Sequence, residues 1–245
     1  MERSSMKAKW VESFEVGWLD SDIKGRAKLS ALFNYLQETA LKHAENMGFG
    51  YDDVKKNGQL WVVARILLKM NRYPRWREQI TVETWPRGVE GMWAFREYRL
   101  IDSEGNELGG ASSSWLVLDM SDRKPVAPEL VFHALPYVNP QSATGEVPGR
   151  INAKKDLNDG VMHLVTYSEV DFYQHVNNTR YIDWVLDAIH QLKLKIDIKK
   201  ININYMSEAK LDDIIVLKYN QTENRLVFKG ELENGSTTIF LAEIN

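Results

Sequence analysis

The sequence predicts an α+β fold that contains two copies of one structural plan. In each half, a strand is followed by a long helix and then by four more strands, so the order β-α-β-β-β-β occurs twice. Segment 122–150 carries most of the prolines and separates the halves. A long apolar helix followed by an antiparallel meander is typical of a sheet that wraps a central helix, the hotdog arrangement. Two copies therefore predict a double hotdog.

The first half begins with a predicted strand at 10–18 and a predicted helix at 30–47. Apolar residues at three- and four-residue spacing indicate the helix, and Gly48 is typical of a helix end. Four strand-like segments follow, at 61–70, 79–85, 92–101 and 107–119. The turn-forming segment Asp102-Ser103-Glu104-Gly105-Asn106 predicts a hairpin between the last two.

The second half repeats this order. A predicted strand at 162–170 leads to a predicted helix at 179–193, with Asn178 or Thr179 as its N-cap. Four strand-like segments follow, at 200–205, 214–220, 225–233 and 237–243. We therefore predict three regions: an N-terminal domain (1–121), a proline-rich linker (122–150) and a C-terminal domain (151–245).

The two halves can be superposed loosely on their sequences. Matching Asp22 with Asp171 places Arg26 on His175. Matching Glu78 with Asp212 places Pro74 on Glu208. In this register the first half lacks the reactive side chains of the second. The alternative is that two α+β halves give a few matches by chance.

The composition is that of an ordinary globular protein. The chain has 245 residues, of which 44% are hydrophobic and 27% charged. A net charge of −3 and a pI of about 6.0 argue against a nucleic-acid binder. There is no apolar stretch of roughly 18 residues to span a bilayer and no secretory signal at the N-terminus. We therefore expect a cytoplasmic protein without membrane insertion.

Cysteine is absent, which removes disulfides, thiolate nucleophiles and cysteine-bound zinc. The sequence also lacks the glycine-rich nucleotide-binding motifs and the GxSxG motif of serine hydrolases. We therefore expect neither a metal nor a cofactor. The chemistry has to come from carboxylates, imidazole, amides and the backbone.

One short segment combines such groups. Asp171 precedes His175 by four residues, and Asn177 and Asn178 follow at the predicted start of a helix. A helix start offers backbone N–H groups that suit a developing oxyanion. Each residue alone is more often a cap or a surface residue, but together they indicate hydrolysis of an activated acyl group.

Several separate segments resemble, in the same order, those of the acyl-[acyl-carrier-protein] thioesterases of plants and bacteria. They run from Asn34 to His43, Trp61 to Arg65, Arg72 to Trp76, Val82 to Pro86, Ala111 to Trp115 and Asp171 to Trp184. The chain looks like a bacterial-type member of this family. The resemblance implies a double hotdog, an acyl-ACP substrate, and hydrolysis that releases a free fatty acid. Acyl carrier protein (ACP) would then be the partner.

The resemblance also implies catalytic residues. The family motif Asp-x-Asn-x-His-Val-Asn-Asn falls on residues 171–178, where Asp171 and His175 match. The family's later catalytic carboxylate carries over to Glu208, while Ala209 stands where the family has a cysteine. The expected roles are general base for Glu208, positioning of water or assistance of proton transfer for His175, and orientation of His175 or of the local backbone for Asp171.

The sequence departs from the motif at Tyr173, which stands where the family has its first asparagine. Either the phenol replaces the amide with shifted geometry, or another amide, with Asn177 as the first choice, takes its role. The expected substrate-binding residues are therefore Tyr173, Asn177 and Asn178. Backbone N–H groups at the start of the following helix are expected to hold the oxyanion.

Carrier proteins are acidic, so we expect a basic docking patch and assign it to Arg72, Arg75 and Arg77. Two other interpretations stay open. One is an acyl-CoA thioesterase or another hotdog enzyme, and the other is a non-catalytic acyl-binding protein. The oligomeric state is also open, with a homodimer as one option.

Overall fold

A computed structural model describes residues 7–128, 138–153 and 157–245. The chain divides into two compact units, Met1–Pro148 (unit 1) and Gly149–Asn245 (unit 2). The two units are built on the same plan.

Unit 1 contains two helices and an antiparallel sheet. The helices are α1 (Leu29–Asn46) and α2 (Tyr51–Lys55). The strands are β1 (Trp10–Glu15), β2 (Gln59–Met70), β3 (Gln79–Glu90), β4 (Trp93–Asp102), β5 (Glu107–Asp119) and β6 (Pro125–Val126). Their order in the sheet is β1-β3-β4-β5-β2, and β6 pairs with β5.

Helix α1 packs against β1 and β3. Its buried face carries Leu29, Leu32, Phe33, Leu36 and Ala40, which recur at helical spacing. Gly48 follows the helix with a left-handed backbone (φ 79°), as the sequence predicts for the helix end. Within the described residues, neither α1 nor any other helix has the length and apolarity needed to cross a membrane.

Unit 2 has the same arrangement with one long helix. Its elements are β7 (Asn158–Leu164), a 3₁₀ turn (Tyr167–Glu169), α3 (Arg180–Gln191), β8 (Lys200–Tyr205), β9 (Ile214–Thr222), β10 (Arg225–Leu232) and β11 (Thr238–Ile244). The sheet order is β7-β9-β10-β11-β8. Counted from the first strand of each unit, this is the strand order of unit 1. The predicted α+β class, with β-α-β-β-β-β repeated, is confirmed.

The strand predicted at 162–170 is shorter than expected. It ends at Leu164, and a 3₁₀ turn takes its place because Thr166 and Glu169 form a capping box. The Glu169 carboxylate accepts hydrogen bonds from the backbone N–H (2.7 Å) and the hydroxyl (3.0 Å) of Thr166. The segment from Val170 to Asn178 is therefore a loop, and it carries the predicted catalytic motif.

The described parts of the predicted linker up to Pro148 belong to unit 1, and Gly149 and Arg150 belong to unit 2. Strand β6 pairs with β5. Further along, the Trp85 indole donates to the Gln141 carbonyl (3.0 Å), and the Ala143 N–H donates to Glu97 (2.8 Å). Residues 129–137 of this segment lie outside the described residues. The predicted domain limits stay a prediction.

The loops before the two long helices share their hydrogen bonds. The Asp22 N–H donates to the Arg26 carbonyl (2.7 Å), as Asp171 does to His175 (2.9 Å). The Ala27 N–H donates to the Pro74 carbonyl (2.8 Å), and its counterpart, Val176, donates to Ala209 (2.9 Å). Arg26 therefore corresponds to His175, as predicted.

The predicted match of Pro74 with Glu208 is wrong by one residue, because Pro74 occupies the place of Ala209. The backbones of Arg77 and Asp212 are both left-handed (φ 66° and 67°), and their N–H groups donate to equivalent carbonyls, those of Val16 and Val165. These shared features align Arg77 of unit 1 with Asp212 of unit 2. The two sequences are too different to show this alignment. The position of Glu208 is thus taken by Tyr73 in unit 1, which still lacks the carboxylate.

Candidate active site

The loop that carries the motif is closed by its own backbone. Val170 and Val176 form an isolated antiparallel bridge, and the Asp171 N–H donates to the His175 carbonyl at 2.9 Å. Gln174 completes the turn with a left-handed backbone (φ 65°). This geometry places His175 at the end of a tight loop immediately before helix α3.

His175 and Glu208 meet, although they are far apart in sequence. The Nε2 atom of His175 lies 3.2 Å from Oε2 of Glu208. The imidazole is 19% exposed and the carboxylate 44%, so water can reach both. Within the described ranges, no three His, Cys, Asp or Glu side chains lie close enough together to hold a metal ion. The arrangement suits proton transfer with a water molecule.

The backbone of Ala209 connects the two reactive residues. Its carbonyl accepts the hydrogen bond from Val176, the residue after His175, at 2.9 Å. Its side chain is fully buried. The methyl group of this side chain supplies no nucleophile. Ala209 contributes its backbone to the site.

Asp171 acts on the loop. Its Oδ1 atom accepts a hydrogen bond from the backbone N–H of Tyr173 at 2.9 Å. This hydrogen bond, from the N–H two residues further along the chain, forms an Asx-turn, which aspartate often makes in loops. The structure thus places the Asp171 carboxylate on the local backbone, one of the two roles expected for it.

Tyr173 lies at the surface of the loop. Tyr173 is 43% exposed, and its ring packs at a tilt against that of Phe172, which is 75% exposed, with ring centroids 4.0 Å apart. The phenol is therefore part of an exposed aromatic pair beside the site.

Asn177 accepts hydrogen bonds at the start of helix α3, whose N-cap residue is Thr179. Its Oδ1 atom accepts hydrogen bonds from the N–H (3.0 Å) and the hydroxyl (2.9 Å) of Thr179. Its backbone carbonyl accepts a third, from the Arg180 N–H at 2.9 Å. Because the side-chain oxygen is occupied, the amide NH₂ is the group that Asn177 can offer to a substrate.

The helix-start N–H groups are fewer than the sequence suggests. Those of Thr179 and Arg180 are used by Asn177, and that of Ile182 donates to the Thr179 carbonyl (3.2 Å). The carbonyl of Asn178 accepts a hydrogen bond from the Tyr205 hydroxyl at 3.1 Å. The backbone N–H groups of Asn178 and Tyr181 do not take part in these hydrogen bonds. Of the N–H groups at the helix start, those of Asn178 and Tyr181 are therefore the candidates for the expected oxyanion site.

Of the three arginines assigned to docking, Arg72 makes structural ion pairs. Its guanidinium contacts Glu78 at 2.7 Å and Asp102 at 3.0 Å. These hydrogen bonds keep the pKa of Glu78 below its ordinary value. The charge of Arg72 is largely compensated, so a partner gains little from it.

Arg75 and Arg77 present their charges at the surface of unit 1. The Arg77 guanidinium lies over the exposed ring of Trp76, 4.2 Å from its centroid. The backbone N–H of Arg75 donates to Glu78 at 2.9 Å. Both arginines remain candidates for contact with an acidic partner.

Glu169 is a residue of this region that the sequence interpretation missed. Its carboxylate accepts a hydrogen bond from the Trp184 indole (2.6 Å) and pairs with His163 (3.0 Å), and its carbonyl accepts one from the Asn177 N–H (3.0 Å). Burial alone would raise its pKa, but the hydrogen bonds from Thr166, Trp184 and His163 lower it below the ordinary value. The Thr-x-x-Glu spacing of a capping box was the available signal.

Comparison with known proteins identifies the family of the whole chain. Residues 7–132 match the model of the acyl-ACP thioesterase N-terminal domain, and residues 153–244 match that of the C-terminal domain. Oleoyl-acyl carrier protein thioesterase 2 of Arabidopsis thaliana is 30% identical over 96% of this chain and 68% of its own length. The match covers 62% of oleoyl-acyl carrier protein thioesterase 1 of the same plant and 45% of an acyl-[acyl-carrier-protein] hydrolase of Cuphea viscosissima.

Solved structures share the fold. An acyl-ACP thioesterase from Bacteroides thetaiotaomicron superposes with a TM-score of 0.86 at 24% identity, over 97% of both chains. The 12:0-ACP thioesterase from Umbellularia californica gives a TM-score of 0.83 at 20% identity, over 98% of this chain and 97% of that one. With both domain models matched in order, this chain belongs to the acyl-ACP thioesterases, a family of thioester hydrolases with hotdog folds.

Proposed function

We propose that this protein hydrolyses the thioester of fatty acyl-ACP and releases free fatty acid and holo-ACP. The observation that carries the proposal is the 3.2 Å contact between His175 and Glu208 in a chain that belongs to this family. We assign the reaction to the C-terminal domain, 151–245. The loop before α3 and the segment after β8 supply its reactive groups in this assignment.

In the proposed mechanism, Glu208 accepts a proton from a water molecule that His175 holds in place. The water oxygen attacks the thioester carbonyl carbon and forms a tetrahedral intermediate. The intermediate collapses, the carbon–sulfur bond breaks, and the leaving thiolate takes a proton from Glu208. A thiol with an ordinary pKa of about 8.5 is a good leaving group, so strong acid catalysis is unnecessary.

The negative charge on the intermediate needs hydrogen-bond donors. We assign this role to the backbone N–H of Asn178 at the start of α3, where the partial positive charge of the helix adds to it. The amide NH₂ of Asn177 is a second donor, which takes the place of the asparagine that Tyr173 replaces. Asp171 supports both by holding the turn around Tyr173.

The test is release of free thiol from a panel of acyl-ACPs and acyl-CoAs of different chain lengths. The proposal expects turnover with acyl-ACP at a higher kcat/KM than with the matching acyl-CoA. Preference for acyl-CoA would favour the acyl-CoA thioesterase instead. Tight binding without turnover of either substrate would favour the acyl-binding protein. The expected cytoplasmic location depends on where the carrier protein is found and belongs to this proposal.

We expect Tyr173→Asn to change kcat only modestly, within about five-fold, or ~1 kcal/mol. The Tyr173 ring packs against Phe172 at the surface, so the reaction does not depend on its side chain in the proposed mechanism. Steady-state hydrolysis of acyl-ACP measures the effect. Tyr173→Phe is the matched control, since it keeps the ring and removes the hydroxyl. An inactive natural protein with an active asparagine variant would contradict the mechanism and favour acyl binding.

We expect the double variant Arg75→Glu/Arg77→Glu to raise KM for acyl-ACP several-fold, more at low salt than at high salt, because both charges face solvent. Hydrolysis of a small thioester should be unchanged. Arg72 is left in place because its ion pairs with Glu78 and Asp102 are structural.

The matched control for this pair is Lys195→Glu/Lys199→Glu, which reverses two exposed lysines and changes the net charge equally. Its effect on KM should be small if docking is local. An equal rise in both variants would show that only net charge matters. Equal losses on acyl-ACP and on the small thioester would show that Arg75 and Arg77 support the fold.

A further inference from the structure

A buried tyrosine completes the connection between the two reactive residues. Tyr181, in the first turn of α3, is 2% exposed, and its hydroxyl oxygen accepts a hydrogen bond from the backbone N–H of Ala209 at 3.2 Å. Ala209 follows Glu208 directly, and its carbonyl binds the residue after His175. The position of Ala209 therefore affects both reactive side chains.

Unit 1 offers an internal comparison. Its α1 begins after the same loop, and the Lys28 N–H donates to the Asp20 carbonyl (2.7 Å) as Asn177 does to Glu169 (3.0 Å). Counting four residues along each chain places Leu32 on Tyr181. The side-chain bonds agree, because Tyr35 contacts Asp20 (2.8 Å) where Trp184 contacts Glu169 (2.6 Å).

The hydrogen bond from the backbone to the phenol is impossible in unit 1 at both ends. Leu32 has no hydroxyl, and Pro74, which stands in the place of Ala209, has no N–H. Unit 1 keeps the hydrogen bond to the carbonyl of this residue, since the Pro74 carbonyl accepts a hydrogen bond from the Ala27 N–H at 2.8 Å. The hydrogen bond to the carbonyl of Pro74 or Ala209 is therefore common to both units. The hydrogen bond from the Ala209 N–H to the Tyr181 hydroxyl occurs in unit 2, which contains the His175–Glu208 pair.

The phenol is held in a fixed position. Its ring packs against the rings of Trp184, Tyr205 and Phe240, with centroid distances of 4.8, 5.7 and 5.2 Å. Burial raises the pKa of Tyr181 well above its ordinary value, and the nearby carboxylate of Glu208 raises it further. The hydroxyl therefore stays neutral at every pH at which a hydrolase works, and it remains a constant acceptor for the Ala209 N–H.

We propose that Tyr181 is a positioning residue, which holds Glu208 at the correct distance from His175 through the N–H of Ala209. The inference rests on the proposed function of this pair. Without the phenol, a buried N–H loses its acceptor and the backbone beside Glu208 gains freedom to move. Displacement of a general base by a fraction of an ångström affects the transition state more than substrate binding.

The first test is Tyr181→Phe, which keeps the ring and removes the hydroxyl. We expect kcat for acyl-ACP to fall about ten-fold, equivalent to ~1.4 kcal/mol, with KM changed less than about two-fold. The imidazole NMR signals of His175 should also shift, a readout that does not depend on turnover. Tyr35→Phe is the matched control, because it removes a hydroxyl that donates to Asp20 from a buried helix tyrosine of unit 1.

The second variant, Ala209→Pro, removes the N–H donor and reproduces the residue found in unit 1. If Tyr181 acts through this N–H, the two variants lower kcat alike, and the double variant is no worse than either one. If one of the two single variants fails to fold, kcat and the His175 signals of the other single variant still test the inference. Rates are expressed per folded molecule, with thermal unfolding measured in parallel.

Three results would overturn the inference. The first is an unchanged kcat and unchanged His175 signals in Tyr181→Phe beside an active wild-type protein. The second is an equal loss of kcat in Tyr35→Phe, which would show a general effect of stability. The third is additive losses in the double variant. An inactive wild-type protein would overturn the proposed function instead, and the His175 signals would still report whether the phenol positions the pair.

Discussion

Replacement of Glu208 by glutamine is expected to lower kcat for acyl-ACP by about 10²- to 10⁴-fold, the usual contribution of a general base. The glutamine keeps the size and the contact with His175 but cannot accept the proton of water. Because the base acts in the transition state, KM should change little. Steady-state kinetics of thiol release measure both constants.

His175→Ala should cause a loss of similar size, because the imidazole lies 3.2 Å from the carboxylate and holds the same water in the proposed mechanism. The effects of substituting residues that act as a unit are not additive. The variant with both Glu208→Gln and His175→Ala should therefore be about as slow as either single variant. Asp212→Asn is the matched control, since it neutralises an exposed carboxylate. Asparagine also tolerates the left-handed backbone conformation of residue 212. If Glu208→Gln kept more than about a third of kcat, the base would have to be another group.

The fold was predictable because the long helices carry strong periodicity. The spacing of the apolar residues in α1 predicted a helix at 30–47, and the structure has Leu29–Asn46. Strands such as β5 and β8 occupy the predicted segments, 107–119 and 200–205. Alternating or continuous apolar residues are enough to predict such strands, because burial of a strand face requires apolar residues at these positions.

The failures lie where side chains override a pattern. Segment 162–170 reads as a strand, but the Thr166–Glu169 capping box turns the chain after Leu164. The register between the units was missed by one residue around Pro74, because left-handed residues such as Arg77 leave no periodic signal. Local hydrogen bonds of this kind compete with regular structure and are hard to recognise in sequence.

The candidate site was only partly predictable from the residues themselves. The position of His175 before a helix could be read from spacing, whereas Glu208 could be assigned only through the family resemblance. Contacts between distant segments require the fold, which also revealed the role of the Ala209 backbone. The same limit explains why Arg72 was assigned to docking, since its partners Glu78 and Asp102 meet it only in the folded chain.

The second large effect concerns stability and a buried histidine of unit 1. His43 is fully buried in α1, where its Nε2 atom lies 2.8 Å from the Lys7 carbonyl and its Nδ1 atom lies 2.9 Å from the Arg96 guanidinium. Arg96 can only donate, so Nδ1 accepts and the ring is neutral, with its proton on Nε2. Burial, with the charge of Arg96 adding to it, lowers the pKa of His43 from 6.5 to about 4.

Protonation of His43 therefore favours the unfolded chain. Below pH 6.5, the pKa of His43 in the unfolded chain, the unfolded chain binds a proton that the folded protein does not. The free energy of unfolding therefore decreases as pH is lowered from 6.5 to about 4, the pKa of His43 in the folded protein. We expect this one residue to lower the free energy of unfolding by roughly 2 kcal/mol between pH 7 and pH 5, and by roughly 3 kcal/mol at pH 4. Denaturant-induced unfolding, followed by tryptophan fluorescence, measures it.

Other groups titrate in the same range, so the test compares two proteins. Burial raises the pKa of Glu97, which makes stability fall as pH rises and partly opposes His43. His43→Gln removes the titrating ring and keeps a donor for Lys7 and an acceptor for Arg96. The unfolding free energy of the wild type minus that of His43→Gln should therefore fall by roughly 3 kcal/mol as pH falls from 7 to 4, because Glu97 contributes equally to both. A constant difference across this range would mean that His43 titrates normally in the folded protein, and that Arg96 and the surrounding burial do not keep its ring neutral.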